Sequence, residues 1–180
     1  MKIVYRRWTR EDLPAVRTLL WETWADAYAA IIPPDDMRAY FEEHYSDDCM
    51  AALYADPNVV GTIAEVDGVV GGYAKTYYHA AEQRLYVHQL YMLPRYQGLG
   101  LGKQLMKLAG ERARTHGFDR VWLGVMVENL PALTWYQRMG FQVTEKAPFV
   151  MGKTTVQHYI GYVPLAELDR LSTSSEKHSS

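Results

Sequence analysis

The sequence has little of what marks secreted, membrane-bound and nucleic-acid-binding proteins. A single cysteine, Cys49, in 180 residues excludes an intramolecular disulfide and is typical of a reducing compartment. No apolar run reaches the length of a membrane span, and the N-terminal segment lacks the apolar core of a signal peptide. A formal net charge of -2 argues against general nucleic-acid binding. We therefore expect a cytoplasmic protein without a membrane or nucleic-acid partner.

Metal-ligand patterns, internal repeats and interdomain linkers are also missing from the sequence. The six histidines show no spacing such as His-Glu-x-x-His, so we predict no metal site. The length suits one compact domain, and 48% apolar and 22% charged residues are ordinary for a globular protein. We expect one domain over residues 1–165, followed by a polar tail over residues 166–180 that ends in a serine-rich stretch.

Hydrophobic periodicity predicts a mixture of helices and strands. Thr9 and Asp12 resemble a capping box at the start of the first helix, and Asp67-Gly68 indicates a tight hairpin turn. Helices are predicted at residues 13–27, 35–45, 102–116 and 131–139, and strands at residues 3–8, 59–66, 69–78, 84–93, 121–127, 141–144 and 154–163. This order indicates an α/β domain with a mixed sheet.

The most informative segment is the glycine-rich turn at residues 97–103, Gln-Gly-Leu-Gly-Leu-Gly-Lys, which joins a predicted strand to a predicted helix. Small residues let the backbone turn sharply and approach a ligand there. The free amides and the dipole of the helix that follows attract an anion, and a pyrophosphate is a natural guest.

Other glycine-rich motifs fit this turn less well. A Walker loop requires Gly-Lys-Ser/Thr, but Gln104 follows Gly102-Lys103. A dinucleotide fingerprint requires a third glycine where Lys103 stands. A tight strand-to-helix connection without any ligand also remains open.

Two blocks in the right order resemble the GNAT superfamily of N-acetyltransferases. The first is Leu-Tyr-Met-Leu-Pro-Arg-Tyr-Gln-Gly-Leu-Gly-Leu-Gly at residues 90–102, and the second is Asn-Leu-Pro-Ala-Leu-Thr-Trp-Tyr-Gln-Arg-Met-Gly-Phe at residues 129–141. The resemblance implies a mixed, mostly antiparallel central sheet flanked by helices, with a cleft where the fourth and fifth strands splay apart. It also implies direct transfer of an acetyl group from acetyl-CoA to a primary amine in a ternary complex, with CoA as the second product.

The resemblance also implies which residues bind acetyl-CoA. The backbone of the fourth strand would pair with pantetheine, the amides of the glycine-rich turn would hold the pyrophosphate, and Asn129 would steady the cofactor. Asn129 could equally serve as a helix N-cap. Lys103, Arg95 or Lys107 could meet the 3′-phosphate, although the last two could be plain solvated charges. The predicted cofactor-binding residues are Tyr91, Met92, Leu93, Gln97, Gly98, Leu99, Gly100, Leu101, Gly102, Lys103, Asn129 and Tyr136.

Two residues match catalytic roles of the family. Tyr136 corresponds to the general acid that protonates the departing thiolate, although a core tyrosine is the simpler alternative. His88 stands near a strand-four base of some members, and strand alternation would place it on the same face as Leu90. A histidine packed in the sheet, or a base acting through water, is an alternative to His88 as the base.

The acceptor would lie over the first two helices and the C-terminal strands. Trp24, Tyr28 and the acids Asp26, Asp35 and Asp36 are candidates, because aromatic and acidic side chains suit a cationic amine. Core packing for Trp24 and simple solvation for the acids are the alternatives.

A closer likeness is to PaiA-type spermidine/spermine acetyltransferases. It rests on Thr-Trp-Ala-Asp-Ala-Tyr at residues 23–28, Ile-Ile-Pro at residues 31–33 and Phe-x-Met-Gly at residues 149–152. The likeness implies a polyamine acceptor, although His158 stands where that group usually carries an acid. A protein or peptide N-acetyltransferase and a non-catalytic acyl-CoA sensor are the alternatives. Dimers are common in the superfamily, so a homodimer is possible.

Overall fold

The computed structural model describes residues 1–173, in which a seven-stranded sheet separates two layers of helices. The strand order is β1-β2-β3-β4-β5-β7-β6, and every neighbouring pair is antiparallel except β4 and β5. The strands are β1 Ile3–Arg7, β2 Val59–Val66, β3 Val69–His79, β4 Arg84–Met92, β5 Arg120–Met126, β6 Gln142–Met151 and β7 Thr154–Pro164. The predicted mixed, mostly antiparallel α/β sheet is confirmed.

Three helices cover one face of the sheet: α1 Leu13–Tyr28, α2 Pro34–Tyr45 and α3 Asp47–Ala55. The Thr9 amide donates to the Asp12 carboxylate at 2.7 Å, just before α1 begins at Leu13. Its buried side chains recur at helical spacing, among them Val16, Leu20 and Trp24, and they pack with Phe41 of α2 against the sheet.

The opposite face carries α4 Leu101–Thr115, α5 Leu130–Arg138 and α6 Leu165–Thr173. α4 begins within the glycine-rich segment, at Leu101. It buries Leu105 against β2 and β3, and Met106 and Ala109 against β4 and β5. None of the helices within residues 1–173 is both long and apolar enough to cross a membrane.

Three elements differ from the sequence prediction. Helix α3 was missed because only Met50 is buried along it, so its apolar periodicity is weak. Strand β6 runs to Met151 rather than to residue 144, on side chains that are mostly exposed. The predicted start of the tail at residue 166 is wrong, because α6 begins at Leu165 and buries Leu165 and Leu168. Residues 174–180 lie outside the described residues.

The strand β4 carries the two irregularities that open the site. It pairs with β5 only at Tyr86–Trp122 and Val87–Leu123, and beyond these residues the two strands diverge. Against β3, Lys75 pairs with Gln89 while Thr76 pairs with Val87, so His88 is the extra residue of a β-bulge. The predicted splay between the fourth and fifth strands is therefore present.

Candidate active site

A cavity of about 1300 Å³ fills the cleft between β4 and β5. It extends from the turn before α4 to the space between α1 and the hairpin of β6 and β7. We call its first part the glycine half, which comprises Gln97, Gly98, Gly100, Leu101, Gly102, Lys103, Asn129 and Trp135. We call its second part the aromatic half, which comprises Trp24, Tyr28, Tyr40, Tyr45, Lys75, His88, Gln89, Tyr91, Phe149 and His158.

The glycine half is built from backbone. Gly98 and Gly100 adopt positive φ angles of 80° and 78°, in the left-handed region that favours glycine. Gln104 is the first residue whose amide reaches a backbone carbonyl of the turn, that of Gly100 at 3.2 Å. Among the described residues, the amides at 98–103 make no such bond, so they remain available to an anion at the positive end of α4.

The edge of β4 continues this backbone surface. Tyr91 and Met92 line the cavity, and their backbone pairs with β3 on one side only. The edge that faces β5 is left without a strand after Val87, which suits an extended ligand such as pantetheine. Leu93 departs from its predicted role: its side chain is buried in the core, its amide donates to Gly71 and its carbonyl accepts from Tyr96.

The side chains around the turn divide into those at the cavity and those away from it. Lys103 lines the cavity, whereas Arg95 lies 3.9 Å from Glu22 and stacks over Tyr96. Leu99 points to solvent with 37% exposure, so its backbone alone could serve a ligand. Lys107 is not among the cavity-lining residues, which leaves Lys103 as the predicted phosphate partner that the structure brings to the site.

Tyr136 on helix α5 lies at the junction of the two halves, because its ring contacts Trp135 of the glycine half and neighbours Tyr28 of the aromatic half. Asn129, just before the helix, belongs to the glycine half. The Asn129 side chain accepts from the Ala132 amide at 3.3 Å, so it caps the helix while lining the cavity. Tyr136 is half-buried, with its ring edge-on to Trp135. Burial, and to a lesser extent the neighbouring Tyr28, raise the pKa of Tyr136, so its phenol keeps the proton at neutral pH.

The aromatic half is organised around Trp24 and a pair of tyrosines. The hydroxyls of Tyr28 on α1 and Tyr91 on β4 are hydrogen-bonded at 2.8 Å. Burial raises the pKa of both phenols, so both are protonated at neutral pH. The ring of Trp24 contacts those of Tyr28, Tyr40, Phe41, Tyr45 and Tyr91. Trp24 therefore packs in the core and lines the cavity at once.

The bulge turns His88 into the cavity and overturns the expected alternation. Leu90 packs on the α4 side, whereas His88 stacks on Tyr77, which packs on the α1 side. The imidazole keeps an exposed surface that water can reach. Burial in the cleft, together with Lys75 and His79, nevertheless lowers its pKa to about 4. His88 is therefore neutral at pH 7.

The three acids predicted near the acceptor lie in different places in the structure. Asp26 is exposed at the rim of the cavity, and Asp35 is exposed outside it. Asp36 accepts from the Lys153 amide at 3.0 Å and from the Thr154 hydroxyl at 2.6 Å, at the turn between β6 and β7. We call these bonds the Asp36 clasp. Asp35 and Asp36 thus leave the candidate acceptor set.

The clasp requires a close approach of two backbones. A Cβ added at Gly152 would lie 2.8 Å from the Asp36 Cα, and Gly152 has a φ of 60°. The turn therefore needs glycine for both its conformation and its contact with α2.

Several cavity residues were missed by the sequence prediction, chiefly Lys75, Gln89, Tyr45 and Glu128. Lys75 carried a readable signal, because it is a lone charge inside the apolar run of β3. His158, which was noted only as a departure from a pattern, lies in the cavity with its ring 4.7 Å from Phe149. Tyr45 and Glu128 had no such signal.

Comparison with known proteins decides the family. The model of the acetyltransferase (GNAT) family matches residues 13–141, which hold both the glycine-rich turn and α5. The chain belongs to the GNAT family. It is an N-acetyltransferase that uses acetyl-CoA as the acetyl donor, and the open amides and free β4 edge are features that fit this cofactor.

This GNAT enzyme is similar to other acetyltransferases in sequence and in fold. An uncharacterised N-acetyltransferase encoded in the pepI 3′ region of Lactobacillus delbrueckii is 30% identical over 80% of this chain and 87% of that protein. The streptothricin acetyltransferase of Streptomyces lavendulae is 40% identical over 42% of this chain and 40% of that protein. The PaiA N-acetyltransferase of Thermoplasma acidophilum, solved with coenzyme A, has a TM-score of 0.73 at 21% identity, covering 88% and 99% of the two chains.

Proposed function

We propose that this GNAT enzyme acetylates a primary amine of a small molecule by direct transfer in a ternary complex. The observation that carries the proposal is the continuity of the cavity. The glycine half and the aromatic half form one space, and Tyr136, which lines it, contacts Trp135 of the first half and neighbours Tyr28 of the second. An acceptor in the aromatic half and a donor in the glycine half could therefore react without a covalent enzyme intermediate.

The proton movements follow from the groups at this junction. The amine nitrogen forms the new N–C bond as the C–S bond of the thioester breaks. Tyr136 donates its proton to the departing sulfur, and the raised pKa of its phenol keeps that proton in place until then. Backbone amides at the free edge of β4 stabilise the negative charge on the carbonyl oxygen.

We propose that His88 takes the proton of the amine, directly or through water. Its ring lines the aromatic half and is neutral at pH 7, as a base must be. Its lowered pKa makes it a weaker base than an ordinary histidine, so we expect a contribution at the low end of the range for general bases.

The walls of the aromatic half support a small-molecule acceptor over a protein. The Asp36 clasp ties α2 to the β6–β7 hairpin, and the rings of Tyr40 and Phe149 meet at 5.6 Å between them. These contacts cover the part of the aromatic half in which a polypeptide would otherwise lie. A relative named for streptothricin, a small molecule, is consistent with this reading.

A polyamine is one acceptor of this class. The carboxylates of Asp26 and Glu128 at the rim, together with the aromatic rings of Trp24 and Tyr28, would favour a cation. Lys75 deeper in the same half would repel one.

The deciding experiment measures CoA release from acetyl-CoA by the purified protein. The acceptor panel contains spermidine, spermine, aminoglycosides, streptothricin, single amino acids and short peptides. We expect turnover with a small amine and none with peptides. Turnover with peptides alone would replace the proposal by a peptide acetyltransferase, and tight acetyl-CoA binding without any turnover would favour the acyl-CoA sensor.

Two further proposals concern the setting of the enzyme. A cytoplasmic location rests on the single cysteine and would be checked by cell fractionation. The proposal of a homodimer is based on the frequency of dimers in the superfamily. Light scattering of the purified protein would distinguish a monomer from a dimer.

A further inference from the structure

Lys75 is a buried cation without a counter-charge. It lies in the middle of β3, its residue is 5% exposed, and it faces the aromatic half. Within residues 1–173 its ammonium group makes neither an ion pair nor a hydrogen bond, and the Nζ atom lies 5.4 Å from the centre of the Tyr45 ring. Burying an unpaired ammonium is unfavourable, so its presence at a cavity requires a reason.

Two more donors without a partner lie beside Lys75. Trp24 Nε1 and Gln89 Nε2 are fully buried, and neither has an acceptor in the described part of the chain. Gln89 pairs with Lys75 across the β3–β4 ladder, and Trp24 contacts the same Tyr45 ring at 5.3 Å. Lys75 and Trp24 can only donate hydrogen bonds, and the side-chain oxygen of Gln89 is the single acceptor that the three side chains bring, so donors outnumber acceptors in the cluster.

The charges around the cluster do not supply that acceptor. Asp26 and Glu128 are exposed residues of the cavity wall, and neither is paired with Lys75. The neighbouring His88 is neutral or cationic, never negative. Burial lowers the pKa of Lys75 to about 8, and no carboxylate raises it again, so the ammonium form still predominates at pH 7.

We propose, resting on the acetyl-transfer function above, that the acceptor carries a carboxylate as well as its amine. Lys75, Trp24 and Gln89 form the site for that carboxylate. The acceptor class is therefore an amino acid or a related amino carboxylate rather than a polyamine. Two carboxylate oxygens offer enough lone pairs for all three donors, and a desolvated ammonium–carboxylate pair is among the stronger polar contacts in proteins.

Matched acceptors test the carboxylate directly. CoA release would be measured for L-amino acids, for the corresponding amino-acid amides, for the decarboxylated amines and for spermidine. We expect kcat/KM to be about 10- to 100-fold higher for the amino acids than for their amides, as loss of a charged hydrogen-bonding partner predicts. Equal or better rates with the amides, the amines or spermidine would overturn the proposal.

The variant Lys75→Met tests the residue, because it keeps most of the length of the unbranched side chain without the charge. We expect KM for the amino acid to rise about 10- to 100-fold, with little change for the amide acceptor or for acetyl-CoA. The melting temperature should not fall, since an unpaired buried charge has been removed. The control Lys2→Met removes an exposed lysine far from the cavity and should change none of these values. An equal loss for both acceptors in Lys75→Met would assign Lys75 a structural role.

Failure of the proposed function gives a different result. If no acceptor releases CoA, acetyl transfer to these amines is excluded, and calorimetric titration of the amino acids and their amides into the acetyl-CoA-bound protein then decides the carboxylate site alone. Binding that requires the carboxylate and is lost in Lys75→Met would support the site, and its absence would reject the site.

Discussion

The two halves of the cavity are built differently, one from backbone and the other from side chains. The glycine half uses the free amides of one continuous segment, residues 98–103, which includes the first turn of α4. The aromatic half uses side chains from α1, α2, β3, the β4 bulge and the β6–β7 hairpin. Backbone surfaces depend on a local conformation, whereas side-chain surfaces depend on the whole fold. This difference explains why the binding site of the acetyl donor can be predicted from the sequence, whereas that of the acceptor has to be inferred from the structure.

Separate kinetic signatures would test whether the halves work independently. A substitution in the glycine half should alter KM for acetyl-CoA alone. A substitution in the aromatic half should alter KM for the acceptor alone. The proposed acid Tyr136 and the proposed base His88 are the exceptions, and changes to them should alter kcat.

The largest expected effect is at the junction. Tyr136→Phe removes the proton donor but keeps the ring, so kcat should fall about 100- to 1000-fold with little change in KM for acetyl-CoA. Steady-state CoA release measures both values. Tyr54→Phe is the matched control, because Tyr54 is 36% exposed and its ring contact with Trp8 does not need the hydroxyl. A loss of less than threefold in Tyr136→Phe would remove Tyr136 as the acid.

His88→Gln should lower kcat by roughly 10- to 100-fold, the low end for a general base of weakened basicity. Stability gives a second readout. Because the folded pKa of about 4 lies below the unfolded value, folding excludes a proton, and the wild type should lose stability as pH falls from about 6.5 towards 4. Urea unfolding at pH 7 and pH 5 should show a larger loss in the wild type than in the variant, in which only other groups remain, such as His158, whose pKa burial also lowers. An unchanged kcat would leave His88 as a packing residue.

Gly100→Ala should weaken acetyl-CoA binding up to about tenfold, because a φ of 78° strains a residue with a Cβ by about 1–2 kcal/mol, and a free turn that relaxes this strain must return to it when the cofactor binds. Isothermal titration with acetyl-CoA would measure it. Gly68→Ala carries the same strain, at a φ of 83° in the β2–β3 turn, outside the cavity. Both variants should therefore lose stability, while Gly100→Ala alone loses affinity. Equal affinities would contradict the role of the turn.

The smallest effect is expected from the Asp36 clasp. Asp36→Ala removes the acceptor of two hydrogen bonds, so KM for the amine should rise several-fold while KM for acetyl-CoA stays constant. Asp35→Ala, a neighbouring exposed carboxylate outside the cavity, is the control. A matching rise in KM for acetyl-CoA would show that the two halves are not independent.

The elements with strong periodicity could be predicted from the sequence. The seven strands, α1, α2, α4 and α5 all have sequence signals, and the glycine-rich turn lies where it was expected. Helix α6 could not be separated from the polar tail, because its apolar positions Leu165 and Leu168 stand beside a serine-rich end. The length of β6 was missed because most of its side chains are exposed and show no alternation.

The features that could not be predicted depend on how distant strands pair. Nothing local to His88 predicts the bulge, which arises from how β4 pairs with β3 around Lys75 and Thr76. The same register sets Lys75 beside Gln89, fourteen positions apart in the chain. Asp36 and Thr154 meet across a separation of 118 residues. Such partners follow from tertiary contacts that no single segment encodes.

The Asp36 clasp also has a consequence for protein engineering. Because α2 is bonded to the tip of the β6–β7 hairpin, these two stretches form one exchangeable module although they are distant in the chain. A hairpin grafted from another acetyltransferase would lose its anchor unless the matching helix came with it. Swapping the two segments together is the route by which this scaffold could be given a new acceptor while its donor machinery is left untouched.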